Sequence, residues 1–375
     1  MQPEGRPRML TFASGGWVLV GAGVLSVALI VWALAGALGR QGRPLIGDGQ
    51  TVASYRFDLS TCLVPPDEIV AAGMRKDALA ALVDPPVIPG TEVALINARE
   101  RGKYLVSTDR VIGVTRNGES RAYPLQIMNC HEIVNDTLGG VQIAVTYNPL
   151  CDSVVVLERK VGGVGGGGGD TLEFGVSGLL YNSNLLMYDR RPEAVGESLW
   201  SQLQARAIAG PAAEARTSLR RIEVSLVSWA DWFEGHPDTT VLKRDPRMIK
   251  RYQQVRGPYE SYFISRHLKF PVNPPPPAGG LEAKQRVVVV ESGGERAVYA
   301  LDWIAKHADS SGTWTDTLGG VPLVFEYQAH PQTVLVRPSA GDSEISVTYA
   351  FWFAWHAMYP DEVVPAVSAV EEGQN

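Results

Sequence analysis

The chain has 375 residues, with 45% hydrophobic and 20% charged residues and a formal net charge of −6. That length suits one large or two moderate domains. The charge argues against a nucleic-acid binder, which needs a basic surface to displace counterions, and there is no Lys/Arg-rich run. Three cysteines, Cys62, Cys130 and Cys151, are too few for a disulfide scaffold, and an odd number leaves at least one thiol unpaired within the chain.

The first element is an apolar segment. No charged residue falls between Met9 and Leu38, with Arg8 before and Arg40 after. A helix of about 22 residues near Gly16–Leu38 rises roughly 33 Å, enough to cross the hydrocarbon core. Ala35-Gly36-Ala37 resembles a cleavage site, but the apolar run exceeds a usual signal core, so an uncleaved single-pass anchor is expected. The short basic tail predicts the N-terminus in the cytoplasm and the main domain outside the cell membrane.

Behind the anchor the sequence repeats itself. DTLGGV occurs at Asp136–Val141 and again at Asp316–Val321, an offset of 180 that also relates Tyr147 to Tyr327. Upstream, NGESRAYPLQIM from Asn117 matches GGERAVYALDWI from Gly293 at an offset of 176. Downstream, Trp229, Trp232, Pro237 and Asp238 recur as Trp352, Trp355, Pro360 and Asp361 at an offset of 123. The matches predict two related units, the second shortened by loss of a stretch after Tyr147. The expected organisation is an N-terminal tail and anchor (1–43), a fuller unit (44–245), a connecting segment with the linker Asn273–Gly280 (246–283), a shortened unit (284–364) and a tail (365–375).

Each unit carries the same local signals. VIGVTRNGESRAY, with Asn117-Gly118 at its turn, predicts a hairpin, as does VVVVESGGERAVY with Gly293-Gly294. A short helix follows, around Pro124–Val134 and Leu301–His307. DTLGG then turns the chain into a further strand, with Gly supplying positive φ. The last element is a Trp-rich helix ending at HPD or YPD. The fold class is therefore α+β and β-rich. The glycine tract Gly162–Gly169 lacks the Lys-Ser/Thr of a phosphate loop and is expected to be a hairpin loop.

The repeat provides an internal control, because residues shared by both units are expected to be architectural. At the 180 offset, His131, Glu132 and Cys151 face Ser311, Gly312 and Pro331, and so stand out as candidates. Cys130, His131 and Cys151 form a soft-donor set suited to copper or zinc, although the spacing matches no known finger. Competing expectations are a Cys130–Cys151 disulfide, nucleophilic Cys151, and plain structural roles. Glu132 is a candidate general base. Asn148, Asn182, Asn184, Met187 and Asp189 are candidate ligand contacts, with turn formation as the alternative.

The strings HEIVND and VTYNPLC, followed by FGVSGLLYNSNLLMYDR and SLWSQ, resemble a bacterial and archaeal family of domains of unknown function, from about Gly73 to Asp361. The resemblance implies no activity. The family pattern is C-P-L-C, and here Asn148 replaces the first cysteine, removing a CxxC pair that could cycle redox states or hold a metal. The expectation is a membrane-anchored extracytoplasmic protein that binds a metal ion or small ligand through the His/Cys cluster. An enzyme using Cys151 or Glu132, and an interaction scaffold with a protein partner, are the alternatives.

Overall fold

The computed structural model describes residues 46–100, 103–162, 169–192, 196–254, 259–340 and 343–362. The expected anchor at Gly16–Leu38, most of the glycine tract and the tail lie outside these residues. Among the described residues no helix is long and apolar enough to cross a membrane. Gly47–Asn375 forms one compact unit, which contains both stretches that carry DTLGGV.

In chain order the elements begin with β1 (Ile69–Ala71), β2 (Leu82–Val83), β3 (Val87–Pro89) and α1 (Glu92–Arg99). Next come β4 (Arg110–Arg116), β5 (Glu119–Pro124), α2 (Leu125–His131), β6 (Ile133–Leu138), β7 (Val141–Asn148) and β8 (Ser153–Glu158). The extra segment holds β9 (Phe174–Tyr181), β10 (Asn184–Asp189), β11 (Leu199–Ser201), β12 (Arg206–Ala209) and α3 (Pro211–Glu214). Then follow β13 (Ser225–Ser228), α4 (Trp229–Gly235), β14 (Thr240–Leu242), α5 (Ile249–Gln254) and α6 (Glu260–Ile264). The chain continues through β15 (Arg286–Ser292), β16 (Glu295–Ala300), α7 (Leu301–His307), β17 (Thr313–Leu318), β18 (Val321–Ala329), β19 (Gln332–Pro338), β20 (Ile345–Phe351) and α8 (Trp352–Met358). The fold is β-rich α+β, as expected.

The hairpins form where the turn residues demand them. Asn117 and Gly118 take φ of 47° and 83°, and Gly293 and Gly294 take 57° and 83°, the paired positive values of a two-residue turn whose twist matches the strands. The two stretches also repeat side-chain contacts. Tyr123 donates to Asp136 at 2.7 Å and Tyr299 to Asp316 at 2.8 Å. Glu119 and Glu295 each accept a backbone N–H, from Gly139 and Gly319, at 3.1 Å.

Three sheets result. The seven-stranded sheet runs β16-β15-β20-β8-β7-β6-β2 and the eight-stranded sheet β17-β18-β19-β13-β4-β5-β14-β3; the five-stranded sheet runs β1-β9-β10-β11-β12. Along β8 and β15, alternate residues enter different cores. Val154, Val156, Val288 and Val290 join one apolar cluster, whereas Val155, Leu157, Val287 and Val289 join the other. The seven-stranded sheet is therefore covered on both faces, which explains why SVVVLE and RVVVV read as continuous apolar runs rather than alternating ones.

Each half contributes strands to both large sheets. β13 of the first half meets β19 of the second at Leu226↔Val334, and β20 of the second meets β8 of the first at Tyr349↔Val154. The offsets of 123 and 180 carry Leu226 to Tyr349 and Val154 to Val334, so the two seams are equivalent. Asp152 ties the halves together. Arg110 donates to it at 2.9 and 3.0 Å, Arg286 at 2.8 Å and Tyr147 at 2.8 Å. Burial works to raise its pKa, but Arg110 and Arg286 outweigh it and hold the carboxyl well below the usual range.

Candidate functional site

Helix α2, LQIMNCH, is buried along nearly its whole length. It ends because Glu132 takes a left-handed conformation, φ 57°, and its N–H closes on Met128 O at 2.7 Å. The Glu132 carbonyl then accepts Tyr147 N–H at 2.8 Å. In the second half Gly312, φ 82°, accepts Tyr327 N–H at the same 2.8 Å. The backbone position is therefore the same, and the second half fills it with the residue that suits it. In the first half a glutamate stands there at a steric cost of roughly 1–2 kcal/mol.

That glutamate is also buried, at 7% exposure, and burial alone pushes its pKa up to about 8. At neutral pH its carboxyl therefore holds a proton. Nearby Cys151 is fully buried, and its thiol donates to Ser183 O at 3.3 Å. Burial pushes the Cys151 pKa far up; the Asn184 amide lowers it and the Glu132 charge raises it further. Tyr259 completes the neighbourhood: burial first, then Glu132 and Cys130, push its phenol up to about 12. The site thus holds a neutral acid, a neutral thiol and a phenol. The thiolate is the nucleophilic form of cysteine, and burial at this place disfavours it.

The expected soft-donor set is not assembled. Among the described residues no group of three or more His, Cys, Asp or Glu side chains is placed to hold a metal ion. Both His131 nitrogens are engaged, Nδ1 with Ala80 O at 2.6 Å and Nε2 with Tyr252 OH at 3.0 Å. Burial lowers the His131 pKa, the Ala80 carbonyl opposing and Arg251 adding to the fall. Cys130 packs in one apolar cluster and Cys151 in the other. All three cysteines are free, so the Cys130–Cys151 disulfide is absent.

The internal control also changes for His131. Helices α2 and α7 match end to end, and both finish in histidine, His131 and His307. Four residues, Ala308–Ser311, then separate α7 from Gly312. His131 thus has a counterpart, and the residues particular to the first half are Cys130, Glu132 and Cys151.

The other ligand candidates have structural partners. Asn148 Oδ1 accepts the N–H groups of Leu150 at 2.9 Å and Cys151 at 3.2 Å, closing the β7–β8 turn. Asn182 forms the β9–β10 turn at φ 51°, accepts Asn273 N–H at 2.8 Å and donates to Asn273 O and Ala357 O. Asn184 donates to Gln202 at 2.8 Å and accepts Leu203 N–H at 3.2 Å. Asp189 accepts from Ser198 N at 2.6 Å and from Arg191. Met187 is core, with no exposure. Each of these residues closes a turn, binds strands together or packs in the core. Arg251 and Tyr252, in the connecting segment, were not singled out from the sequence. The available signal was that this connecting segment has no counterpart in the second half.

Comparison with family models gives a match to the family described as "Protein of unknown function (DUF3179)" over residues 85–348. No curated protein and no solved structure matches the chain. The family match spans most of the chain, including Glu132, Cys151 and both hairpin repeats, and agrees with the resemblance carried by HEIVND and VTYNPLC. The chain belongs to the DUF3179 family of proteins of unknown function.

Proposed function

We propose that this chain is an extracytoplasmic protein, anchored by Gly16–Leu38, whose first half binds a small ligand beside Glu132 and Cys151. The second half, in this reading, is a duplicate that keeps the fold and has lost the segment that completes the site. Equivalent seams, turns and Tyr–Asp contacts support the duplication. The observation that carries the site is Glu132 itself, a buried carboxyl in a left-handed position that the second half gives to glycine. Strain and burial at one residue together point to function rather than folding.

A protonated Glu132 donates a hydrogen bond to an acceptor on the ligand. The same proton at neutral pH favours, as a second reading, an enzyme with Glu132 as general acid. Native mass spectrometry of the purified full chain tests the ligand site. The expected result is a small-molecule adduct on the wild type that is absent from Glu132→Gly. A wild type without adduct, or an adduct that survives the substitution, contradicts the proposal. Membrane fractionation with external protease tests the anchor. The protein should sediment with membranes and be cleaved from outside; a chain protected from protease in intact cells contradicts the orientation.

A further inference from the structure

The two halves follow the same path through their Trp-rich helices as far as Glu362, the last described residue. His236 N–H closes α4 on Trp232 O at 2.9 Å, and Tyr359 N–H closes α8 on Trp355 O at 3.0 Å. The His236 ring stacks on Trp232, and the Tyr359 ring on Trp355. Three residues on, Thr239 N–H donates to His236 O at 3.0 Å and Glu362 N–H to Tyr359 O at 3.2 Å. The indoles repeat as well: Trp232 Nε1 donates to Thr239 Oγ1 at 2.9 Å, and Trp355 Nε1 to Glu362 Oε2 at 2.8 Å. The offset of 123 relates each of these pairs.

After Thr239 the first half makes β14, which lies parallel to β5 with Thr240↔Arg121 and Val241↔Ala122. Val241 and Leu242 have no exposure, so this short strand belongs to the core. The counterpart of β5 is β16, with Glu119–Pro124 matching Glu295–Ala300 at the offset of 176. β16 ends the seven-stranded sheet, and no described strand pairs with its outer edge. Such an edge is a row of backbone donors and acceptors that templates another strand. Glu362 stands beside it, since it accepts from Arg296 of β16 as well as from Trp355. The sequence then reads Val363-Val364-Pro365, which the offset of 123 sets against Thr240-Val241-Leu242 of β14. Valine favours a strand. Proline suits an outermost one: Leu242 pairs on its far side with Val87 of β3, whereas proline has no N–H for a further ladder.

We infer that Val363-Val364-Pro365 docks on the open edge of β16 as an eighth, parallel strand, with Val363 beside Ala297 and Val364 beside Val298. The tail then covers an edge that is otherwise free to pair with a second chain. The correspondence of the halves carries this, independently of the ligand site at Glu132. Hydrogen exchange of the full chain, read by mass spectrometry, tests it on the wild type, Val364→Asp and Val370→Asp. In the wild type the amides of Val363 and Val364 should exchange at least about tenfold slower than those of residues 371–375. Val364→Asp places a charge where the first half buries Val241. It should bring Val363 and its neighbour to the rate of residues 371–375 and speed exchange along β16. Val370→Asp, beyond the strand, should change neither. Wild-type Val363 and Val364 amides that exchange as fast as residues 371–375 overturn the inference. Exchange along β16 that is unchanged in Val364→Asp, or equally raised in Val370→Asp, also overturns it.

Discussion

Glu132 and the cysteines show how burial sets chemistry residue by residue. The folded Glu132 carboxyl keeps its proton to about pH 8, whereas the ordinary value is 4.5. Because the folded pKa is raised, the contribution of Glu132 to stability is complete below pH 4.5 and is lost as pH rises through 8. Between those limits the wild type should lose stability relative to Glu132→Gln by up to about 1.4 kcal/mol per pH unit. Denaturant melts of both proteins at pH 5 and 8 check this, and parallel pH profiles would contradict it. The thiols should differ in the same way. Cys62 is half-buried, while Cys130 and Cys151 are buried with pKa values raised by burial. A thiol reagent at pH 8 should label Cys62 first, leaving the other two until the protein unfolds. Rapid labelling of Cys151 in the native protein would contradict its place in the core.

At the scale of elements, polar side chains join strands that the ladders alone do not. Asn135 in β6 donates to Phe174 O at 2.8 Å and accepts Phe174 N–H at 2.8 Å, docking the five-stranded sheet onto the seven-stranded one. Asn135→Ala leaves both Phe174 groups unpaired and should cost about 2–4 kcal/mol, read from the shift in denaturation midpoint. Asp152→Asn leaves Arg110 and Arg286 facing each other without their shared anion and should cost about 3–5 kcal/mol. A loss below about 1 kcal/mol in that variant would mean that Asp152 contributes little at the seam. Local structure of this kind was legible in the sequence: Asn117-Gly118 and Gly293-Gly294 dictate their turns, and the Trp-rich helices end at HPD and YPD. The exchange of strands between halves was not, because β13–β19 and β20–β8 join residues far apart in the chain and no local preference specifies them. His131 was misjudged for a related reason. A fixed offset of 180 passed over the four residues that separate α7 from Gly312, and so set His131 against a serine rather than against His307.

As a whole molecule, the chain is a pair of interlocked halves joined by a linker. Neither half owns a complete large sheet, since each supplies strands to both of them; only the five-stranded sheet comes wholly from the first half. Cutting at an engineered protease site in the exposed stretch Ala278–Gly280 should therefore leave two fragments that co-migrate in native conditions and separate only on denaturation. Separation without denaturant would contradict the interlocked seams. The family match supplies no activity, so the functional account rests on what differs between the two halves. The extra segment and the connecting segment were visible as sequence without a counterpart. The placing of Tyr259 beside Glu132, and of Ser183 and Asn184 beside Cys151, was not, because the turn residue that matters differs from its counterpart by one side chain at an unchanged backbone position.

The central claim is that Glu132 is kept against the preference of the fold, and the most direct measurement is the stability of Glu132→Gly. Restoring the residue that the second half uses should raise the melting temperature by about 2 °C at pH 7, from relief of the left-handed strain. The gain should be larger at pH 9, where the wild-type carboxyl is ionised in its buried place. A Glu132→Gly protein that melts lower than the wild type at both pH values would show that Glu132 serves the fold, and would contradict the account.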